Sequence, residues 1–336
     1  MAATPVDVLL LSGGVDSSAL AALALPPHCV TVGLAHDTAG LGCERCAGRA
    51  GRPAGCNADL HWGERVAAVL GLSWEPLVLS VDEALAALIE LVRLRRSFDL
   101  GLLNDIPIYV GMRHARQQGW RDVWTGDDAD TLFGGYRFLR EVPDWGAYLA
   151  ERIPTIAPEA RFIGEHLGLT PHFPYLHADV LAVARTLDRP DVEIWRDTAE
   201  APSFVDGFDP ALMAHPRKPW GKAILRRVAE RLLPPDIAWR PKTDLQFGSG
   251  MCRLETPLAA LLDVHTRTRL DATGIDWFND AHRGLYLLFA RNGLTIPPPS
   301  AAHYPCRSCG AGVPHGARHC RTCGAYPAGT KGTKER

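Results

Sequence analysis

The stretch Val6-Asp-Val-Leu-Leu-Leu-Ser-Gly-Gly-Val-Asp-Ser-Ser18 decides the fold, because its apolar half predicts a buried strand and its glycines predict a loop that opens into a helix. Gly13 and Gly14 let main-chain N–H groups approach a phosphate closely, and the helix N-terminus favours an anion. Asp16 would repel that phosphate unless a cation lay between them, which suggests Mg²⁺. Further hydrogen bonds could come from the hydroxyl groups of Ser12, Ser17 and Ser18. Taken alone, the segment also fits an ordinary strand-to-helix turn.

Strands and helices alternate in the chain that follows this loop. Apolar runs predict further strands at Cys29–Leu34, Leu77–Leu79 and Asp122–Thr125. Helices are predicted at Ser17–Leu25, from near Trp62 to Gly71, after the capping box Ser80–Glu83, and at Ile108–Gln118. This alternation predicts an α/β fold, with a mostly parallel twisted sheet and helices on both of its faces.

The bulk composition is that of a globular protein. The chain has 336 residues, of which 46% are apolar, and a formal net charge of −2. A charge so close to zero gives no global basic field that would demand a nucleic-acid partner. No apolar run reaches the roughly 20 residues that span a bilayer. The run from Val6 to Leu25 has no basic leader and is interrupted by acids, so we expect no export signal, no membrane partner and a cytoplasmic location.

Changes in composition along the chain predict its domain organisation. Residues from about 144 to 294 have a mainly helical pattern broken by prolines, and a proline-rich stretch follows them. The predicted regions are an α/β core at 1–140 with a cysteine-containing insertion at 37–60, a mainly helical part at 141–295, a linker at 296–303, a small cysteine-containing ribbon at 304–326 and a disordered tail at 327–336.

A second glycine-rich motif, Thr125-Gly-Asp-Asp-Ala-Asp-Thr-Leu-Phe-Gly-Gly-Tyr136, follows the fourth predicted strand. It crowds Asp127, Asp128 and Asp130 into four positions. Such a group is unfavourable unless a cation or a proton neutralises it. A solvated acidic turn is the alternative explanation, but the flanking glycines and the first loop favour a functional one.

Both motifs resemble those of a known family. The first is similar to the Ser-Gly-Gly-x-Asp-Ser loop of the ATP pyrophosphatase (PP-loop) superfamily, and the second resembles the Gly-Glu-Gly-Ala-Asp-Glu-Leu-Phe-Gly-Gly-Tyr segment of asparagine synthetases and β-lactam synthetases. Two later segments, Lys222-Ala-Ile-Leu-Arg226 and Arg240-Pro-Lys242, look like the family's closing segment. Pro171-His-Phe-Pro-Tyr-Leu176 is more weakly similar to its Arg-x-Pro-Phe-Leu region. The resemblance covers roughly residues 5–250 and implies an adenine nucleotide alpha hydrolase fold.

The resemblance also implies a reaction, in which a substrate carboxylate or carbonyl oxygen attacks the α-phosphate of ATP and releases pyrophosphate. An amine or ammonia then attacks the adenylate. Mg²⁺ held by Asp16 and Asp130 would neutralise the leaving group. The implied catalytic residues are Lys242, Lys222 and Asp127. The implied nucleotide-binding residues are Ser12, Gly13, Gly14, Asp16, Ser17, Ser18, Gly126 and Asp130.

Three positions of the second motif depart from the family. Asp127 and Thr131 stand where relatives have Glu, and Asp128 stands where they have Gly. The shorter Asp127 leaves room for a different or larger nucleophile. The glutamine-hydrolysing domain of asparagine synthetases needs a cysteine at the mature N-terminus, and here Ala2 follows Met1. We therefore expect nitrogen from free ammonia, a substrate amine or a partner protein, and we do not expect asparagine synthesis itself.

The C-terminal cysteines have the spacing of a zinc site. Cys306-x2-Cys309-x10-Cys320-x2-Cys323 offers four thiolates, and Gly310 and Gly324 follow the two pairs. Four thiolates close a tetrahedral site, so the zinc is expected to be structural. A segment of this length needs such a metal in order to fold. Basic residues of this ribbon could contact RNA or an acidic protein partner, or could simply be solvated.

A second cysteine group, Cys43-x2-Cys46-x9-Cys56, lies in the insertion. With His61 or His36 it could bind a second zinc ion. An iron–sulfur cluster, redox-active or sulfur-carrying thiols, and plain free cysteines remain alternatives.

The leading functional hypothesis is an AMP-forming, ATP-dependent ligase that makes an amide-type C–N bond. Its substrate would be a small-molecule carboxylate, or one on a carrier or peptide. The alternative is ATP-dependent sulfur insertion into a tRNA base or nucleoside, which the two Cys-x2-Cys systems favour and the second motif disfavours. A non-catalytic scaffold is a third possibility, and Asp16, Asp130 and Lys242 argue against it.

Overall fold

The computed structural model describes residues 5–35, 58–197 and 217–329. Internal contacts divide the described residues into two compact units. Unit 1 holds residues up to 33 together with 58–78, 107–197 and 217–250. Unit 2 holds 34–35, 79–106 and 251–329. The domain boundaries given above stay a prediction, because compactness alone does not test them.

The main sheet has five strands in the order β3-β2-β1-β4-β5. Strand β1 pairs in parallel with β2 and with β4, and β4 pairs in parallel with β5. The strand bounds are β1 Val8–Leu10, β2 His28–Leu34, β3 Trp74–Leu79, β4 Asp122–Trp124 and β5 Thr170–His172. Two antiparallel hairpins add β6 Glu193–Asp197 with β7 Arg217–Gly221, and β8 His303–Pro305 with β9 Gly312–Pro314. The predicted α/β class is confirmed.

Fifteen α-helices are found in the described ranges and numbered here in chain order. They are α1 Val15–Ala24, α2 Ala58–Leu70, α3 Val81–Arg95, α4 Leu102–Gln117, α5 Ala129–Phe133, α6 Trp145–Arg152, α7 Glu159–His166, α8 Ala178–Ala184, α9 Arg189–Val192, α10 Ala223–Ala229, α11 Pro235–Ala238, α12 Leu245–Gly248, α13 Glu255–Ala259, α14 Val264–Asp271 and α15 Asp280–Arg291. Short 3-10 turns occupy Arg137–Glu141, Ile153–Thr155, Pro174–Leu176 and Met251–Leu254. In these ranges no helix is both long and apolar enough to cross a bilayer.

The sheet forms where apolar runs can be buried on both faces. Leu9 and Leu11 are fully buried, as is most of β2, and they pack with α1 and α2 in one apolar core. Such continuous apolar strands are typical of parallel sheets that are covered on both faces. Gly111 of α4 lets that helix approach the sheet, since a Cβ there would lie 2.8 Å from a methyl of Leu10. The core therefore fixes the C-terminal end of β1, where the glycine loop begins.

The predicted elements agree with this architecture, with shifts at their ends. The four predicted strands are present, and β3 begins earlier, at Trp74. Helices α1, α2 and α4 also begin earlier, and Pro107 lies inside α4. The capping box is formed, because Ser80 and Glu83 exchange hydrogen bonds at the start of α3. Three strands, β5, β6 and β7, lie inside the stretch that is predicted to be mainly helical.

Unit 2 is built around an aromatic cluster. The ring of Phe98 contacts those of His282, Tyr286 and Phe289, and α3 packs against α15. The C-terminal ribbon is part of the same unit. Phe98 N donates a hydrogen bond of 2.8 Å to Thr322 O, and His319 lies 3.1 Å from Asp99. The ribbon thus packs on the end of α3 through main-chain and ionic contacts.

Candidate active site

The first glycine loop is held against helix α2. Gly13 has a φ of +68°, and a Cβ on it would lie 2.4 Å from Cβ of Trp62, so only glycine fits there. Gly14 caps α1, and its N–H donates to the hydroxyl of Ser12 at 3.3 Å. The hydroxyls of Ser12 and Ser17 lie 3.1 Å apart, so a hydrogen bond connects the two ends of the loop. The fully buried Ser18 hydroxyl has no hydrogen-bond partner within the described chain.

The two glycine motifs lie side by side. A Cβ at Gly126 would lie 3.2 Å from both Asp16 Cβ and Ser17 N. This contact follows from topology, because β1 and β4 are parallel neighbours and their C-terminal ends meet at one edge of the sheet. Tyr175, in the turn after β5, donates from its hydroxyl to Asp16 O at 2.8 Å. The structure thus brings the predicted residues of both loops together.

Lys222 joins the two motifs. Its ammonium nitrogen lies 2.5 Å from Asp16 Oδ2 and 2.8 Å from Asp130 Oδ1. The residue is 3% exposed, and its backbone is left-handed with a φ of +59°. Its N–H donates to Phe133 O at 2.9 Å, which fixes it beside the second motif. A Cβ on Gly135 would lie 1.7 Å from Asp130 Oδ1, so the glycine makes room for this ion pair.

Lys242 approaches the same carboxylates. Its Nζ lies 3.3 Å from Asp130 Oδ1 and 2.8 Å from Asp244 Oδ1. Burial would raise the pKa of Asp130, but the ammonium groups of Lys222 and Lys242 outweigh it and lower the pKa to about 2. Burial raises the pKa of Asp16, against the pull of Lys222. Burial alone would lower the pKa of Lys242, but the carboxylates of Asp130 and Asp244 outweigh it and raise that pKa overall.

A buried ion pair that no sequence motif indicates lies behind the first loop. Arg240 Nη2 lies 2.7 Å from Asp59 Oδ1, with both side chains at most 5% exposed. Arg240 also donates from Nη1 to Ser12 O at 2.9 Å. The pair therefore connects α2, the first glycine loop and the segment that carries Lys242. Arg240 belongs to the Arg240-Pro-Lys242 segment, but the sequence assigns no role to its side chain. Asp59 lies in the first turn of a helix, where an acidic residue is common and predicts no ion pair.

A cleft opens between these groups, lined by the first glycine loop, Asp16, Asp130 and both lysines. Asp16 Oδ1 is buried in it and has no hydrogen-bond partner among the described residues. A buried carboxylate oxygen without a partner is unfavourable unless a ligand satisfies it. Carboxylate oxygens are the ligands that Mg²⁺ prefers, so Asp16 and Asp130 fit a magnesium ion. The glycine loop at the N-terminus of α1 fits a phosphate group.

The comparison with protein families agrees with this geometry. The family described as asparagine synthase matches residues 1–205 and 163–281, which is well over half of the chain. The chain belongs to the asparagine synthase family. It is 28% identical over 264 residues to a putative glutamine-hydrolysing asparagine synthetase of Methanocaldococcus jannaschii, covering 72% of this chain and 45% of that protein.

Two further relatives give a similar result. A probable glutamine-hydrolysing asparagine synthetase of Schizosaccharomyces pombe is 27% identical over 277 residues, covering 74% of this chain and 44% of that protein. Asparagine synthetase B of Escherichia coli, also glutamine-hydrolysing, is 24% identical over 256 residues, covering 74% of this chain and 42% of that protein. The chain spans less than half the length of these curated relatives.

Asp127 is the first acidic residue of the second glycine motif. Its Oδ2 accepts a hydrogen bond of 2.8 Å from the hydroxyl of Thr125. Burial raises its pKa to about 6, and the charges of Asp128 and Asp16 add to that effect. The following residue, Asp128, has a left-handed backbone with a φ of +67°. That conformation suits glycine best, and Asp is among the few other residues that tolerate it.

The four C-terminal cysteines converge. Their sulfur atoms all lie within 4.8 Å of one another, with 3.8 Å between those of Cys306 and Cys323 and 3.7 Å between those of Cys309 and Cys320. A tetrahedron with Zn–S bonds of about 2.3 Å has edges of about 3.8 Å. Gly310 and Gly324 both have left-handed backbones and close two matching turns. The cysteines therefore fit a zinc ion.

The proposed second metal site lies mostly outside the described residues. This holds for Cys43, Cys46 and Cys56. His61 lies on α2, where its ring makes an edge contact with that of Trp62 at 5.3 Å between centroids. The second zinc site stays a prediction.

Proposed function

We propose that this chain adenylates a carboxylate with ATP, releases pyrophosphate, and passes the acyl group to an amine or ammonia to form an amide. The observation that carries the proposal is the pairing of two acidic residues from separate glycine motifs, Asp16 and Asp130, around one buried lysine, Lys222. That arrangement places two carboxylates, which could bind Mg²⁺ instead of the lysine, beside a helix N-terminus that favours phosphate. A magnesium-bound triphosphate requires both features.

Different residues of the cleft have different roles in the first step, the attack of the carboxylate on the α-phosphate of ATP. Main-chain N–H groups at Gly13 and Gly14 bind the phosphates, and the dipole of α1 favours their charge. Lys242 stabilises the charge that develops as the α-phosphate is attacked, and loss of one such group typically lowers the rate by about 10²–10³. Asp16 and Asp130 would hold Mg²⁺, which neutralises charge on pyrophosphate as it leaves. Lys222 neutralises the same two carboxylates before the nucleotide binds.

Asp127 has the properties of a base for the second step. Because its pKa is raised to about 6, its carboxylate is ionised near neutral pH and still basic enough to accept a proton. An attacking amine must lose a proton as the amide forms. We propose that Asp127 accepts that proton, and that ammonia or an amine reaches the site directly, without glutamine hydrolysis.

The substrate class follows the same proposal. We propose that the reacting carboxylate belongs to a small molecule, a carrier or a peptide. The alternative, sulfur insertion into a tRNA base or nucleoside, depends on Cys43 and Cys46, which lie outside the described residues. We further propose that the ribbon cysteines bind structural zinc and that the ribbon offers a surface to RNA or to a protein partner.

The products of ATP test the proposed function. The protein is incubated with Mg²⁺, ATP, a panel of carboxylic acids and ¹⁵N-ammonia or amines, and the nucleotides are separated. AMP, pyrophosphate and a ¹⁵N-amide should form in equal amounts. Formation of ADP and inorganic phosphate with an acceptor would contradict the proposal, and transfer of sulfur to RNA would replace it with the alternative.

A further inference from the structure

A second cavity adjoins the nucleotide cleft at the two catalytic lysines. It shares Lys222, Arg226 and Lys242 with that cleft. Its remaining walls come from Gly134–Arg140 and from strand β7. A Cβ at Gly221 of β7 would lie 2.2 Å from Gly134 O, so the hairpin packs closely on the second motif. The described residues that line this cavity include none from the first glycine loop, so a molecule in it would contact the lysines without contacting that loop.

The walls of this cavity are strongly cationic. Five of the lining residues are basic, namely Arg137, Arg140, Lys222, Arg226 and Lys242, and none of the described lining residues is Asp or Glu. Carboxylates behind the lining offset part of this charge, since Lys222 pairs with Asp16 and Asp130, Lys242 with Asp130 and Asp244, and Arg140 with Glu193. The basic groups face the cavity more directly than these carboxylates, so an ammonium group entering it would be disfavoured relative to an anion.

Arg226 adds a buried positive charge to the same wall. It is 3% exposed, and its guanidinium donates to the carbonyls of Gly221, Ala238 and Arg240 at 2.8–3.0 Å. These partners are neutral, and the nearby carboxylates of Asp16 and Asp130 offset its charge only in part, because burial still lowers the pKa of Arg226 to about 10. A buried charge is unfavourable unless an opposite charge compensates it. An anionic ligand in the adjoining cavity supplies that compensation.

We propose that this cavity binds the acid to be activated, and that this acid carries a second negatively charged group and no ammonium group. The reacting carboxylate lies at the end formed by Lys222 and Lys242. The second anionic group lies at the end formed by Arg137 and Arg140. This inference rests on the proposed function, and it separates the substrate from an α-amino acid such as aspartate.

Direct binding tests the inference without turnover. Isothermal titration of the full chain with Mg²⁺, at constant ionic strength, compares two matched sets of acids: succinate, butyrate and aspartate, and glutarate, valerate and glutamate. In at least one set the plain diacid should bind about tenfold more tightly than both the monoacid and the amino acid, because a charged hydrogen-bonded contact is worth at least that factor. Equal binding of the monoacid, tighter binding of the amino acid, or no measurable binding of either diacid would overturn the inference.

Variants locate the second anionic group. Arg140→Gln should weaken diacid binding about tenfold and leave monoacid binding unchanged. Glu193 would lose its partner in that variant, so the double variant Arg140→Gln/Glu193→Gln is measured beside it and should show the same loss. Arg93→Gln, an exposed residue of α3, is the matched control and should bind like the unaltered chain. Unchanged diacid binding in both Arg140 variants would overturn the assignment.

The two hypotheses can fail separately. If diacids bind selectively but ATP yields no AMP and pyrophosphate, then the proposed function is wrong and the cavity assignment stands. If AMP and pyrophosphate form with monoacids or amino acids as well as with diacids, the adenylation stands and the cavity assignment is wrong.

Discussion

Lys222 and Asp16 form a buried ion pair at 2.5 Å, although 206 residues separate them in the chain. The same ammonium group lies 2.8 Å from Asp130 Oδ1, so a single side chain holds the two glycine motifs next to each other. The ion pair links folding to chemistry, because the two carboxylates that would bind magnesium also hold the two glycine motifs together through Lys222.

Removal of this lysine should destabilise the protein as well as inactivate it. Lys222→Ala leaves two carboxylates, whose side chains are 17% and 19% exposed, without their shared partner. Breaking an ion pair with one fully buried member should lower the free energy of unfolding by up to about 3–5 kcal/mol. Urea denaturation measures the change. Arg65→Ala, which breaks an exposed pair with Asp236 at 3.4 Å, is the control and should change stability by about 0–1 kcal/mol. Equal losses in the two variants would argue against the bridging role.

Arg240 should affect nucleotide affinity more than turnover. Arg240→Lys keeps the charge but loses the geometry that joins Asp59 to Ser12 O, so the first glycine loop is no longer held in position. We expect KM for ATP to rise about tenfold, with a smaller change in kcat. Arg231→Lys, on an exposed residue nearby in the chain, is the matched control. A fall in kcat with an unchanged KM would show that Arg240 acts on the chemical step instead.

Titration of the Asp127 carboxyl should cause the fall of kcat/KM for the amine at acidic pH, which is the acidic limb of the pH profile. Its pKa is raised to about 6, so the carboxyl is protonated below that pH and becomes an available base above it. We therefore expect kcat/KM for the amine to rise with pH through about 6. In Asp127→Asn the rate should fall about 10²–10⁴-fold and the limb should disappear.

Asp179→Asn is the control for this experiment, because Asp179 is largely exposed, with a side-chain exposure of 74%. It should keep both the rate and the limb. A limb near pH 6 that survives in Asp127→Asn would assign the titration to another group.

Zinc content should depend on the ribbon cysteines. Cys320→Ser removes one of four converging sulfur ligands and should cost one equivalent of zinc per chain, with a lower melting temperature. Cys29→Ser is the control, since Cys29 is buried in the core and its pKa is raised by burial to about 12. Elemental analysis reads both variants. A second equivalent retained in Cys320→Ser would support the site at Cys43, Cys46 and Cys56, and iron there would redirect the functional proposal.

The parts of the fold that could be predicted are those with strong local patterns. Apolar runs placed β1, β2 and β4, and glycines placed both loops at their ends. Strand β5, Thr170-Pro-His172, has no apolar run, and the hairpin strands β6 and β7 carry charged residues and lie far apart in the chain. Their pairing is set by tertiary contacts, which short-range periodicity does not reveal.

The candidate site shows the same division. Motif resemblance gave Asp16, Asp130, Lys222 and Lys242, and the structure places these side chains together. The Asp59–Arg240 pair was missed because 181 residues separate its members and neither lies in a pattern that demands a partner. The cationic cavity was missed for a similar reason, since its walls come from separate segments of unit 1.

A crystal structure with Mg²⁺ and α,β-methylene-ATP, which resists cleavage between its α and β phosphorus atoms, tests the central claim most directly. The account predicts a metal ion within about 2.1 Å of carboxylate oxygens of both Asp16 and Asp130. It also predicts the α-phosphate within hydrogen-bonding distance of Gly14 N and Lys242 Nζ. A nucleotide bound elsewhere on the protein, with Lys222 still bridging the two carboxylates, would contradict it.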